Sequence, residues 1–366
     1  MGSGKIIKIA IILGTRPEII KMSSIIRECQ KRNLEFFILH TNQHYSENLD
    51  KVFFKELEIP QPKYNLKVGS GTHAEETGKM LIGIEKVLIK EKPDIVLVEG
   101  DTNTVLAGAL AAVKLYIKVG HIEAGLRSYF REMPEEINRV LTDHCSDFLF
   151  APTKKAKEIL LSEGIPKKKI FVTGNTIVDA VYQNLKLAKK RSKILDKLKL
   201  KKENYFLVTA HRQENIDKKE RLKGILEGIG VIYNKFNLPI IYPIHPRSKK
   251  MIKKFNLKIP QGVKLIEPIG YLDFLQLEAN ARLVLTDSGG VQEESCILKV
   301  PCVTLRDNTE RPETLEVGSN ILAGIDSKKI LRCVSKMLNR KRNWKNPFGK
   351  GKAGEKIIKI ITERLI

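Results

Sequence analysis

Short apolar runs alternate with amphipathic stretches along the whole chain, and this rhythm restricts the fold more than any other feature of the sequence. Lys5–Leu13, Glu35–His40, Asp94–Val98, Tyr116–Ile122 and Asp147–Ala151 are apolar at successive positions. Such runs predict strands covered on both faces, as in parallel sheets. Between them Pro17–Lys31, Glu47–Leu57, Ala74–Lys90, Asn103–Lys114, Pro134–Cys145 and Lys154–Leu161 carry the helical period. The rhythm continues through strands Ile170–Thr173, Tyr205–Thr209, Pro239–Ile244, Val263–Ile266, Arg282–Leu285 and Pro301–Leu305, with helices including Arg221–Phe236, Asp273–Ala279 and Val291–Leu298. A strand that returns to its own sheet through a helix forms a right-handed βαβ unit, so the expected class is α/β with doubly wound parallel sheets.

A dozen strands are better divided between two sheets than held in one. Gly174-Asn175-Thr176, followed by the polar segment Lys186–Lys202, is the expected hinge. That places an N-terminal Rossmann-like domain at 1–173 and a C-terminal one at 174–353, two lobes facing across a ligand cleft. The last helix, 354–366, has no strand before it and is expected to cross back onto the first domain. A length of 366 residues suits two domains, and 42% hydrophobic with 29% charged residues excludes a disordered or fibrous chain. The longest apolar run, Ile6–Leu13, contains Lys8 and is far shorter than the ~20 residues of a membrane span. No leader pattern precedes it, and membrane insertion is not expected. Five cysteines without a CxxC pair point to reduced thiols and a cytoplasmic protein.

In open α/β sheets ligands bind beyond the carboxyl ends of the strands, so the polar residues there carry the functional information. The first strand ends in Gly14-Thr15-Arg16-Pro17-Glu18-Ile19-Ile20-Lys21. Gly14 suits a tight turn, Pro17 a first helical turn, and Arg16 with Lys21 can face an anion there. It is not the GxGxxG turn of a dinucleotide domain, which disfavours an NAD enzyme. Gly2-Ser3-Gly4-Lys5 precedes its strand and so is no phosphate loop. Further strand ends supply Glu99-Gly100-Asp101-Thr102 and His121-Ile122-Glu123-Ala124-Gly125-Leu126-Arg127, followed by Pro134-Glu135-Glu136-Ile137-Asn138-Arg139. Asp101, Glu123 and Glu135 thus gather at one sheet edge with arginines beside them. Burial and mutual repulsion push such carboxylates apart in pKa, as acid–base work requires. The structural alternatives are an N-cap for Asp101 and an acidic first turn for Glu135.

In the second half Thr209-Ala210-His211-Arg212 follows a buried strand, and His211 is either an acid–base group or a strand-end histidine bonded to backbone. Leu285-Thr286-Asp287-Ser288-Gly289-Gly290 runs from a strand into a helix. The backbone N–H groups of Ser288, Gly289 and Gly290 would face a phosphate there, and Glu294, about one turn on, would accept ribose hydroxyls. Arg311 adds a cation after the next strand, and Phe274 is either core or a platform for a base.

Gly14–Lys21, Glu99–Asp101, His121–Ser128, Pro134–Arg139, Thr209–Asn215, Asp287–Glu294 and Thr309–Glu313 together resemble the non-hydrolysing UDP-N-acetylglucosamine 2-epimerases, in order and over nearly the whole chain. The resemblance implies a glycosyltransferase-B architecture, a homodimer, and interconversion of UDP-GlcNAc and UDP-ManNAc without cofactor or metal, supplying sugars for cell-surface polysaccharide. It implies that Arg16 and Lys21 face the diphosphate, that Ser288, Gly289 and Gly290 cradle it, and that Glu294 holds the ribose. Phe274 would lie near the uracil and Arg311 on the nucleotide side. Asp101, Glu123 and Glu135 match the acid–base carboxylates, and His211 the histidine beside the leaving UDP. The alternatives on the same fold are a hydrolysing epimerase and a glycosyltransferase. Two stretches depart from the family pattern. The bacterial activating-site motif Gln-His-Arg-Gln-Met becomes Asn42–Asn48, which keeps Gln43 but lacks the arginine, and Ile269 stands where some relatives have Gln.

Lys plus Arg exceed Asp plus Glu by 65 to 42, a net charge of +23. The excess sits in Lys167–Lys169, Lys186–Lys202, Lys249–Lys258 and Lys328–Lys345, away from the strand-end motifs. Charge runs of this kind are solvated faces, and without an aromatic–basic platform no nucleic-acid partner is expected.

Overall fold

The computed structural model describes residues 7–42 and 47–365. Gly2–Lys5, the first two residues of the predicted opening strand, and Gln43 lie outside the described residues. The chain divides into two compact units, Met1–Gln183 with Phe348–Ile366, and Asn184–Pro347.

The first unit contains β1 (Lys8–Leu13), α1 (Arg16–Lys31), β2 (Glu35–His40), α2 (Glu47–Glu56), β3 (Tyr64–Asn65), α3 (His73–Glu91), β4 (Ile95–Glu99) and α4 (Asn103–Lys114). It continues with β5 (Lys118–Ile122), α5 (Pro134–Cys145), β6 (Phe148–Ala151), α6 (Lys154–Ser162), β7 (Ile170–Val172) and the start of α7 (Thr176–Arg191). All seven strands are parallel, in the order β3-β2-β1-β4-β5-β6-β7. The order reverses at the β1/β4 boundary, and in such sheets a crevice opens at the strand carboxyl ends there. The central strands are apolar throughout, with Ile9 to Leu13 and Ile95 to Val98 fully buried, as a sheet covered on both faces demands.

The second unit holds α8 (Ile194–Leu198), β8 (Phe206–Thr209), α9 (Gln213–Ile216), α10 (Lys219–Phe236), β9 (Ile240–Pro243), α11 (Pro246–Lys254), β10 (Val263–Ile266) and α12 (Tyr271–Asn280). It is completed by β11 (Leu283–Thr286), α13 (Gly289–Leu298), β12 (Cys302–Thr304), α14 (Pro312–Glu316), β13 (Asn320–Leu322) and α15 (Ser327–Leu338). Its parallel order, β10-β9-β8-β11-β12-β13, repeats the reversal at β8/β11. One face packs Ile225, Ile229 and Ile232 of α10 with Ile330 and Val334 of α15, and the other packs Leu277 of α12 with Val291 of α13.

The final helix, α16 (Ala353–Leu365), packs on α1 within the first unit. Asp179 of α7 accepts the N–H groups of Ala353 (3.0 Å) and Gly354 (3.2 Å) at its first turn. Ile170–Val172 closes the edge of the first sheet, and the polar segment 186–202 holds the end of α7 followed by the separate α8. Among the described residues no helix is long and apolar enough to cross a membrane. All five cysteines are free thiols.

Candidate active site

The turn after β1 is tightly packed. A Cβ on Gly14 would lie 2.1 Å from Thr104 Oγ1 and 2.3 Å from Thr41 Oγ1, so no larger residue fits. Glu18 closes the turn from inside, accepting from Gly14 N–H (2.6 Å), Thr15 Oγ1 (3.0 Å) and Thr102 Oγ1 (2.6 Å). This fastens the turns after β1 and β4 to each other. Burial raises the Glu18 pKa to about 7 despite these donors. Arg16 lies with its guanidinium carbon 5.6 Å from the centre of the Phe53 ring.

One helical turn further, Lys21 is 8% exposed and its ammonium joins two carboxylates. It stands 3.0 Å from Glu99 Oε1 and donates a hydrogen bond to Glu123 Oε2. The sheet register explains the meeting: Glu99 pairs with Ile122 across β4 and β5, so Glu123, one residue beyond, lies beside it. Glu123 has φ +70°, in the left-handed region that non-glycine residues adopt uncommonly. Burial, partly offset by Lys21 and reinforced by Glu123, raises the Glu99 pKa well above the usual carboxylate range.

Asp101 does not cap α4. Its carboxylate pairs with Arg139 Nη2 at 2.5 Å, and the N-cap position is taken by Thr102, whose hydroxyl goes to Glu18. Asn138 Nδ2 donates to the Asp101 carbonyl (3.0 Å) and to Asn103 Oδ1 (3.2 Å), fixing this turn to α5. Beneath it, fully buried His121 contacts Asp143 Oδ1 through Nδ1 (2.7 Å) and the Gly100 carbonyl through Nε2 (2.8 Å). Arg127 pairs with Asp143 (2.7 Å) and Glu163 (2.6 Å). Burial opposes ionisation of Asp143, yet His121 and Arg127 outweigh it and hold its pKa low.

The two acids at the start of α5 separate sharply. Glu136 is buried and accepts from Ser128 N–H, Tyr129 N–H and Ser128 Oγ (each 2.9 Å) and from Arg139 (3.0 Å). Glu135 is half-buried and forms no hydrogen bond or ion pair with a described residue. Glu136 therefore holds the loop, and Glu135 is left with an uncommitted carboxylate.

In the second unit Asp287 organises the strand ends. It is fully buried and accepts from His211 N–H (3.0 Å), Arg212 N–H (3.0 Å) and Asn215 Nδ2 (3.1 Å). The His211 ring lies over it, Nδ1 being 3.5 Å from Oδ1, with 43% of the side chain exposed. Partial desolvation, joined by Arg212 and opposed by Asp287, lowers the His211 pKa. His245, the other strand-end histidine, caps α11 by accepting Arg247 N–H.

Ser288 is the N-cap of α13, but its N–H is donated to Thr286 Oγ1 (2.9 Å) and so is turned away from the expected cradle. The first intrahelical bond runs from Gln292 N–H to Ser288 O (3.2 Å). The N–H groups of Gly289, Gly290 and Val291 thus have no acceptor within the helix, the usual state of a first turn. Gly290 is exposed, and a Cβ there would meet only Ser288 Oγ at 3.9 Å. Glu294 is buried and accepts from Tyr271 OH (2.8 Å), and Arg311 is drawn to Glu293 (2.8 Å). Phe274 is half-buried against the core cluster that includes Leu277 and Val291. Among the described residues no group of three His, Cys, Asp or Glu is arranged to hold a metal ion.

Sequence reasoning passed over Glu99, Asp287 and Tyr271. An acid at the last residue of an otherwise apolar strand was the available signal for Glu99, and an acid just before Ser-Gly-Gly for Asp287. Nothing in the sequence distinguishes Tyr271.

Residues 27–362 match the family model described as UDP-N-acetylglucosamine 2-epimerase. A protein of that name from Methanocaldococcus jannaschii is 64% identical over 97% of this chain and 99% of its own length. One from Methanococcus maripaludis is 61% identical over 97% and 98%. The crystal structure of the M. jannaschii UDP-GlcNAc 2-epimerase in complex with UDP-GlcNAc and UDP aligns with a TM-score of 0.90, covering 98% of this chain and all of that one.

Proposed function

The chain belongs to the UDP-N-acetylglucosamine 2-epimerase family, and on that premise we propose that it interconverts UDP-GlcNAc and UDP-ManNAc by eliminating UDP and adding it back. The observation that carries the reading is the buried set of Lys21, Glu99 and Glu123 beside the Asp101–Arg139 pair. The C2 proton of the sugar has no adjacent carbonyl, so removing it to a free carbanion is prohibitive. Elimination avoids this: a carboxylate takes the C2 proton while the C1–O bond breaks and UDP departs with the bonding electrons. The resulting 2-acetamidoglucal then regains UDP at C1 and a proton at C2 on the opposite face. Asp101, Glu123 and Glu135 are the acid–base candidates, and their differing surroundings suit groups that give and take protons on two faces.

Arg16, Lys21 and His211 are assigned to the diphosphate as charge develops on it. The backbone donors at the start of α13 bind phosphate, with Gly289 and Gly290 foremost because the Ser288 N–H is already used internally. Glu294, oriented by Tyr271, takes the ribose hydroxyls, while Phe274 and Arg311 line the nucleotide side. The free thiols accord with work in the cytoplasm. A homodimer through the first unit is supported by Ile82 and Ile89 of α3 and Leu141 of α5, all at least half exposed.

Incubation with UDP-GlcNAc in D₂O tests the reaction. UDP-ManNAc carrying deuterium at C2 is the expected product. Free ManNAc appearing in step with UDP would indicate hydrolysis, and turnover only with an added acceptor would indicate transfer. Absence of deuterium at C2 together with absence of any ManNAc product sinks the reading.

A further inference from the structure

Glu99 is 1% exposed, yet it has no place in the acid–base set drawn from the sequence. Its carboxyl lies 3.0 Å from Lys21 Nζ, and the neighbouring Glu123 charge adds to burial in raising its pKa. Lys21 in turn donates to Glu123, so one ammonium bridges two buried carboxyls. The elements packed against β4 bring few other charges. From α1 come Lys21 and Glu18, and from β5 and its continuation come His121 and Glu123. The His121 ring is engaged by Asp143 and the Gly100 carbonyl, and Asp101, two residues on, is engaged by Arg139. On β1 and α4 the charges are Lys8 and Lys114, at the ends remote from Glu99.

Fully ionised, this buried group would hold an excess negative charge away from water, with two carboxylates on one ammonium repelling each other. One proton removes both penalties. We propose that Glu99 is a positioning residue that holds one proton in common with Glu123 and thereby sets the pH range in which Glu123 exchanges protons with the substrate. This rests on the epimerase reading and on Glu123 being one of its acid–base groups. In the direction in which Glu123 accepts, the shared proton sits on Glu99. The C2 proton then passes to Glu123 as the C1–O electrons leave with UDP. Both carboxyls are now neutral and the Lys21 charge is uncompensated, in step with the negative charge UDP has gained. Return of the proton to carbon restores the shared state.

The test is the pH dependence of kcat for UDP-GlcNAc in wild type, Glu99→Gln and Glu99→Asp. Gln keeps the shape but cannot share a proton, so kcat should fall about tenfold or more with KM within about twofold. The alkaline arm of the profile, which marks loss of the shared proton, should move by at least one pH unit or vanish. Asp still titrates but its carboxyl sits one methylene back from Lys21, so it should restore only part of the rate and keep the arm at a displaced pH. An unmoved arm in Glu99→Gln overturns the assignment whatever its kcat. If that variant does not fold, a Glu99→Asp arm and rate identical to wild type overturn it equally. Wild type that incorporates no deuterium at C2 would instead defeat the epimerase reading, a separate and distinguishable failure.

Discussion

The two units share the order of six strands and the reversal point, yet their strand ends leave different groups open. In the first unit the charge lies in buried side chains: Lys21 between Glu99 and Glu123, Arg139 against Asp101 and Glu136, and Arg127 against Asp143. The second unit also pairs Arg306 with Glu310 and Arg311 with Glu293, but its buried Asp287 is committed to backbone and amide donors, and what remains open is the exposed first turn of α13 at Gly290. A dry array of paired acids can carry protons, because small changes in its surroundings shift pKa values strongly. A helix N-terminus cannot titrate, but it meets an anion without rearrangement. Under the proposed function, the acid–base candidates lie in the first unit and the backbone donors for phosphate in the second.

The side chains of the first unit should matter most. Glu123→Gln and Asp101→Asn should each lower kcat by about 10² or more, with UDP affinity little changed. Initial rates of UDP-ManNAc formation and calorimetric UDP titration measure the two effects. Glu135→Gln is the sharper case, since that carboxylate has no partner among the described residues: a large fall in rate assigns it to the substrate, and near-normal turnover removes it.

Next in size is Asp287→Ala, which strands three donors around a buried site. Thermal unfolding should report a loss of about 2–4 kcal/mol, and Asp287→Asn should recover part of it. The pH dependence of stability should carry a contribution of similar magnitude from Glu18. Its folded pKa of about 7 lies above the ordinary value of 4.5, so folding takes up a proton between the two. The Glu18 contribution is therefore fully present below the unfolded pKa and is lost as pH rises through the folded one, by on the order of 3 kcal/mol. Glu18→Gln should flatten that slope in denaturant titrations at pH 4 to 8. A slope unchanged by the substitution would show that Glu18 ionises normally.

Smaller again is Gly290→Ala. The added methyl meets only Ser288 Oγ at 3.9 Å, so the melting temperature should stay put while the UDP Kd rises about tenfold, or ~1.4 kcal/mol. Equal affinity would mean that no phosphate approaches this backbone. The smallest effect belongs to the surface: Lys249 and Glu267 pair at 2.6 Å but are 59% and 76% exposed. Lys249→Ala should shift stability by less than ~0.5 kcal/mol.

The contrast was partly legible in the amino acids. Ser288-Gly289-Gly290 after an apolar strand shows a helix start, because backbone geometry there depends on local residue types. Glu135 and Glu136 show the limit of such reading. Adjacent residues in a helix point about 100° apart, so one enters the fold and the other does not, and only the packing of the 128–136 loop decides which. The edge strands β3 and β13, two and three residues long, were illegible because they are too short to show a period.

What the sequence determined by itself was the α/β class, the two parallel sheets and the strand ends that bear polar groups. Burial on both faces and helical periodicity are written residue by residue, and connection handedness leaves few other arrangements. What tertiary structure alone decided was which charges meet. Lys21 and Glu123 are 102 positions apart, and Arg139 and Asp101 are 38 apart. Their contact depends on strand order and register, which no local pattern encodes, and with contact come the burial and pairing that set each proton's affinity.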